Sequence, residues 1–153
     1  MYANNPSVSI PRRVAALIGP FAGGALASAV AFLLLRASFP DRVPTHFALD
    51  GTPDRFSSPA AALGQYMMIF AIEGAGILAA SWSAKSGRIS LRSLCVFSCG
   101  LAAATAYLFI AGMWAASDSG DSVMEFSLLQ LPLAVVAGGA VAAAAWYLSR
   151  SRT

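Results

Sequence analysis

Charge is scarce in this chain: only 11% of its 153 residues are Asp, Glu, Lys or Arg, and lysine and histidine each occur once. Set against 58% hydrophobic residues and a mean hydropathy of +0.67, that shortage excludes an ordinary soluble domain of this size. One histidine among scattered acids does not supply the three or four defined ligands that a zinc site needs. The two cysteines, Cys95 and Cys99, form no Cys-x-x-Cys pair. Their spacing shares a helix face but aims the thiols too poorly for an easy bridge, so they read as small hydrophobes. No basic run with interleaved aromatics is present, so nucleic acid is not an expected partner. Nucleophile-elbow, HExxH and phosphate-loop patterns are also absent, which argues against an enzyme, and no cofactor is expected.

What the chain has in abundance is apolar runs. Four can be marked, at 14–36, 60–82, 93–115 and 126–148. Each is about 23 residues, enough to cross a hydrocarbon core of roughly 30 Å. Backbone groups in lipid must be satisfied within their own segment, so helices are the expected form. The expected fold class is all-α, a four-helix transmembrane bundle forming one integral membrane domain over 1–153, with the lipid bilayer as its first partner. Cations orient it. Arg12 and Arg13, then Lys85, Arg88 and Arg92, then Arg150 and Arg152 mark three cytoplasmic segments, which places both termini on the cytoplasmic side. The acidic stretch with Asp118, Asp121 and Glu125 and the loop at 38–59 then face outward. The Arg12-Arg13 pair before an apolar run also raises a cleaved signal, but that run extends past the usual length, so an uncleaved anchor is expected.

Small residues suggest helix contacts. Gly19, Gly23 and Ala27 recur every four positions in the first run, with Pro20, Gly24 and Ser28 beside them; Gln130, Ala134, Ala137, Gly138 and Val141 form a similar stripe in the fourth, where Pro132 is a candidate kink. Such faces join helices of one bundle or two copies in a homo-oligomer; the within-bundle reading is the expectation. Inside the second run stands Glu73, the only ionisable carboxylate in any span interior, about 20 Å along a helix of about 34 Å. Gln65, Ile69, Ile72, Glu73, Gly76 and Ala80 share one broad face, expected to look inward. Glu73 is either a protonatable relay or a protonated acid tied to a neighbouring helix through Thr105 or Gln130. No second acid or base in a span is available to exchange a proton with it, which favours the tie.

The residues that a membrane address does not explain lie in PDRVPTHFALDGTPDRF, positions 40–56. Asp50-Gly51 suits a two-residue turn, with Val43, Thr45, Phe47 before it and Thr52, Asp54, Phe56 after it, so a short β-hairpin is expected. Pro44 and Pro53 each remove a backbone donor, and Phe39, Phe47 and Phe56 are expected to pack at the interface. Alternation sets Thr45 and Phe47 on one face and His46 on the other, within reach of Asp50, Asp54 or Asp41. His46 is then a structural lock, a proton or ligand sensor, or a metal ligand, the lock being favoured.

The string Phe39-Pro40-Asp41-Arg42-Val43-Pro44-Thr45-His46-Phe47, followed by Gly51-Thr52-Pro53-Asp54, resembles the signature LPDRIPxHFxxxGxPD. That is the pattern of a bacterial membrane-protein family of unknown function that forms the N-terminal part of SdpI-type immunity proteins. Phe39 stands where Leu is usual, and Ser57-Ser58 where a Ser-Lys type ending is common. The resemblance implies a multi-span protein of the bacterial inner (plasma) membrane; SdpI-type proteins protect cells against a membrane-active toxin and signal its presence. The four runs marked here lack the additional C-terminal spans of those proteins. Two functions follow as expectations. In one, the loop is a binding, sensing or immunity-type module for a peptide or membrane-protein partner, with Pro44, His46, Phe47, Asp50, Gly51, Pro53 and Asp54 as contact or shaping residues. In the other, a proton or small solute passes along Glu73 with Gln65 near the outer mouth. Missing inverted repeats and paired broken helices argue against a complete secondary transporter.

Overall fold

The computed structural model describes residues 10–48, 50–83, 90–118 and 127–150. Four helices carry the chain back and forth: α1 (Ile10–Leu35), α2 (Pro59–Ser83), α3 (Leu91–Asp118) and α4 (Gln130–Arg150). A 3-10 turn, Arg36–Ser38, ends α1, and strands β1 (Val43–Phe47) and β2 (Pro53–Ser57) form a two-stranded hairpin before α2. All four helices are long and apolar enough to span a membrane. The protein is a multi-pass, predominantly helical membrane protein whose four-helix bundle carries an open two-stranded hairpin between its first two helices.

The helix ends follow from local chemistry. Ser58 accepts the Ala61 N–H at 3.3 Å and Pro59 opens α2, where its missing donor would have had no partner. Ser90 caps α3 in the same way, accepting from the Ser93 N–H at 3.1 Å. α1 starts four residues ahead of the apolar run and so includes Arg12 and Arg13. The fourth span starts at Gln130 and not at 126, which lies outside the described residues. Pro132 therefore falls in the first turn of α4, where a proline needs no kink.

The core sits mainly between α1, α2 and α3. Leu17 and Phe21 from α1 meet Phe70 and Ile77 from α2 and Leu94 and Ala102 from α3. α4 lies on α3, where Gly100 and Gly138 bring the two backbones together: a Cβ on Gly138 would stand 2.6 Å from the Gly100 carbonyl oxygen. The Ala134 and Gly138 part of the expected α4 stripe is accordingly buried, while Val141 is exposed. At the end of the bundle away from the hairpin, Arg92 of α3 lies 4.1 Å from the Trp146 ring centroid and donates to the Trp146 carbonyl and to Ser149 Oγ. Arg150 approaches the same ring at 5.2 Å. Cys95 and Cys99, both on α3, are free thiols.

Two of the expected helix faces are rotated. On α1 the buried positions are Leu17, Phe21 and Ser28 with Gly24 beside them, whereas Gly19, Gly23 and Ala27 look outward and nothing lies within 4 Å of a Cβ built on either glycine. On α2 the inward positions are Ala62, Phe70, Gly74 and Ile77. The face drawn through Gln65, Ile69, Ile72 and Gly76 is therefore exposed, not inward. The physical reason is shape: the Phe70 ring fills the space left by Gly24 of α1, and in lipid an exposed isoleucine carries no penalty that would rotate it inward.

Candidate functional site

The hairpin is tied to the bundle from below. Its strands pair in antiparallel register, Val43 with Ser57, Pro44 with Phe56, His46 with Arg55 and Phe47 with Pro53, with irregularities either side of His46. Those breaks fall beside the prolines, which cannot donate to a regular ladder. Val43 packs with Ala62 and Ala116, and Phe39, Phe47 and Tyr66 surround them. Phe39 also lies 5.4 Å from Phe32, and Tyr66 stacks on Phe109 at 4.2 Å. A small apolar cavity of about 20 Å³, room for roughly one water, remains among Phe32, Phe47, Tyr66 and Met113. Polar links add to this underside: Thr45 Oγ1 and Ser57 Oγ are 3.4 Å apart, and the Gln65 amide donates to Ser57 Oγ at 3.5 Å.

The turn differs from the expected two-residue form. The Gly51 N–H donates to the Ala48 carbonyl and the Ala48 N–H to the Thr52 carbonyl, which closes a loop one residue longer. Gly51 has φ 87°, and no non-glycine residue among those described has a positive φ. A two-residue turn of either primed type needs positive φ at Asp50, so the longer loop with the left-handed conformation at Gly51 is the cheaper solution. Asp50 contributes by its side chain: Oδ1 accepts from the Thr52 hydroxyl at 2.6 Å and from the Thr52 N–H at 3.0 Å. Those bonds, the hydroxyl first, hold the Asp50 carboxyl below its ordinary value.

The outward side has a different composition. His46 Nδ1 lies 2.6 Å from Asp54 Oδ1, with the two side chains 61% and 48% exposed. With Asp54 ionised, Nδ1–H donates, and Nε2 of a neutral ring stays available as an acceptor. Of the three acids offered by sequence, His46 thus takes Asp54, while Asp50 serves the turn. Arg42 donates to the Phe56 carbonyl at 3.4 Å. Phe56 itself is 45% exposed, so only Phe39 and Phe47 of the three expected aromatics pack beneath the hairpin. Arg55, paired opposite His46, lies in an open groove of about 590 Å³ between the hairpin and α2. Arg55 and Phe56 were not singled out as site residues by sequence reasoning; the signal available was their register opposite His46 and Pro44.

The intramembrane polar residues separate. Thr105 Oγ1–H of α3 donates to Glu73 Oε1 of α2 at 2.7 Å, as one of the two candidate ties had it. Gln130, the other candidate, instead accepts from the Tyr107 hydroxyl at 2.6 Å across the α3–α4 seam. Glu73 Oε2 is buried and has no hydrogen-bond partner among the described residues. Gln65 is occupied with Ser57 at the hairpin, so Gln65 and Glu73 do not meet in one site.

Fold and site together define a helical membrane protein with an ordered, polar-faced hairpin at one end of its bundle. Residues 23–70, from within α1 through the hairpin and into α2, match the family described as a domain of unknown function (DUF1648). The matched part is about a third of the chain. No curated protein and no solved structure matches it.

Proposed function

We propose that this protein is a binding module of the bacterial inner membrane, which holds the hairpin on the outer side, with both termini inside, and uses it to engage a polypeptide at that membrane face. The observation that carries the reading is the division of labour in the hairpin. Val43 and Phe47 by packing and Ser57 by its bond from Gln65 already secure it to the helices, so the outward His46, Asp54 and Phe56 are not needed as anchors. An exposed aromatic beside a histidine–carboxylate pair is a surface suited to recognition. The LPDRIPxHFxxxGxPD-like string, which lies within the matched 23–70, supports by its resemblance to SdpI-type proteins a role of the sensing or immunity type, in which the partner is a membrane-active peptide or another membrane protein. No catalytic step is assigned to it.

A proton- or solute-conducting role through Glu73 has less support. The unpartnered Oε2 favours it, but the face expected to form the track is turned outward, and Gln65 is engaged elsewhere. The tie from Thr105 to Glu73 reads as a link between α2 and α3.

A photo-crosslinking residue at Phe56, compared with one at the exposed Val135 of α4, tests the binding reading in living cells. The expected result is a discrete polypeptide adduct from position 56 alone, lost on His46→Ala or Asp54→Ala. Identical adducts from both positions, or adducts indifferent to His46 and Asp54, would refute it.

A further inference from the structure

Beside the hairpin, the groove that contains Arg55 has a graded lining. Its hairpin end presents Arg55, Ser57 and Thr45; its floor on α2 passes from Gln65 to Met68 and Ile69. Gln65 lies about 9 Å along α2 from Pro59 and Ile69 about 15 Å, at 1.5 Å per residue. The polar end thus adjoins the hairpin, and the apolar floor runs toward the middle of a helix long and apolar enough to span a membrane. Met68 is 57% exposed, and Ile72, one turn further on the same face, is 61% exposed, so the floor opens sideways to the bilayer.

The charge in this groove is unbalanced. The Arg55 side chain makes no hydrogen bond or ion pair among the described residues, and no carboxylate lines the groove. The nearest acid in sequence, Asp54, is already held by His46 at 2.6 Å. A guanidinium matches a phosphate through two parallel N–H donors, and at a membrane edge it can do so with little desolvation. A free anion would leave the apolar floor unused. An amphiphile uses both ends.

We propose that this groove binds an anionic phospholipid, its phosphate held by Arg55 with the Ser57 and Thr45 hydroxyls nearby, and one acyl chain laid along Met68, Ile69 and Ile72. The groove shares His46 and Phe56 with the polypeptide surface proposed above, but the proposal rests on Arg55 and the apolar floor, not on that reading. A lipid seated there would brace the hairpin against α2, on the side where α2 lacks a helix neighbour.

The test is native mass spectrometry of the full chain in detergent, titrated with phosphatidylglycerol, with phosphatidylcholine of the same chains, and with inorganic phosphate. Phosphatidylglycerol should be retained about tenfold better than phosphatidylcholine, the scale of one charge-assisted contact. Arg55→Gln should erase that preference while Arg13→Gln, at the other end of the bundle, leaves it in place. Met68→Trp supplies a second readout: phosphatidylglycerol brominated on its acyl chain should quench the added indole, and Arg55→Gln should relieve the quenching. Equal retention of the two lipids, a preference untouched by Arg55→Gln, or inorganic phosphate displacing the lipid completely would each overturn the proposal. Because the Arg55 side chain is exposed and unpaired, a matching melting temperature identifies a folded variant.

Discussion

The α3–α4 seam and the hairpin are both built around glycine, yet they use it in opposite ways. At the seam, Gly100 and Gly138 are required by what lies opposite them: two backbones approach so closely that a side chain has no place. In the hairpin, Gly51 is required by its own backbone, at φ 87°, while the surrounding outward side chains meet little. The seam is a packing constraint spread over both helices. The hairpin is a local conformational constraint that leaves its outer surface free to serve something else. In the first region nearly every substitution reads out as stability; in the second, fold and function separate.

The largest expected effect lies at the seam. Gly138→Ala places a methyl 2.6 Å from a carbonyl oxygen and 3.0 Å from Ala104 Cβ. Because the obstacle is backbone, the helices must part, at a cost of about 1–3 kcal/mol. Gly139→Ala, one residue on, faces open space and should be near neutral. Thermal unfolding in detergent should separate the two; equal melting temperatures would remove the seam from the comparison.

Next comes Gly51→Ala, which forces a side chain into a left-handed conformation at about 1–2 kcal/mol. Since the strands are anchored through Val43 and Phe47, the loss should be local. Hydrogen exchange should rise at the Ala48 and Thr52 amides and stay unchanged at α3. If exchange rises across the bundle instead, the two regions are not separate.

The Glu73 tie should be smaller. Thr105→Val removes the hydroxyl donor and should cost about 0.6–1.7 kcal/mol, the range of hydrogen bonds between membrane helices. Glu73→Gln keeps an acceptor oxygen for Thr105 and should cost less. A liposome proton-flux assay of the same variant bears on the conducting alternative: flux in the parent that Glu73→Gln abolishes would revive it.

The smallest change belongs to pH. Asp50 has its carboxyl lowered in the folded hairpin by the Thr52 hydroxyl and N–H. Its contribution is therefore complete above the ordinary carboxylate range and is lost as pH falls through the lowered value. Protection of the Thr52 amide should weaken at acid pH, and Asp50→Asn should make it insensitive to pH. His46→Ala and Asp54→Ala should move stability less than Gly51→Ala, since both side chains are exposed, while weakening partner capture.

The hairpin's inward and outward alternation was legible because Thr45, His46 and Phe47 differ sharply in polarity over adjacent positions, and the structure buries the first and third more than the second. The tie from Glu73 to Thr105 was legible as one of two alternatives, since few polar groups are present to choose from. The length of the turn was not, because Asp50-Gly51 is compatible with more than one loop and the choice depends on the backbone bonds of Ala48. The groove at Arg55 was invisible for another reason: it exists only where β2 and α2 come side by side.

By itself, the sequence determined that the chain enters a membrane, how many helices it makes, and that a proline-stiffened hairpin interrupts the first two. Those outcomes depend on the local cost of placing residues in lipid and on local backbone preference. Only the tertiary structure decided which face of each helix looks inward, turning Gly19 and Gly23 of α1 and Ile69 and Ile72 of α2 to the outside. The reason is that lipid tails are as apolar as the residues themselves: hydrophobicity no longer distinguishes core from surface, and only the fit of Phe21, Phe70 and Gly24 against their neighbours does.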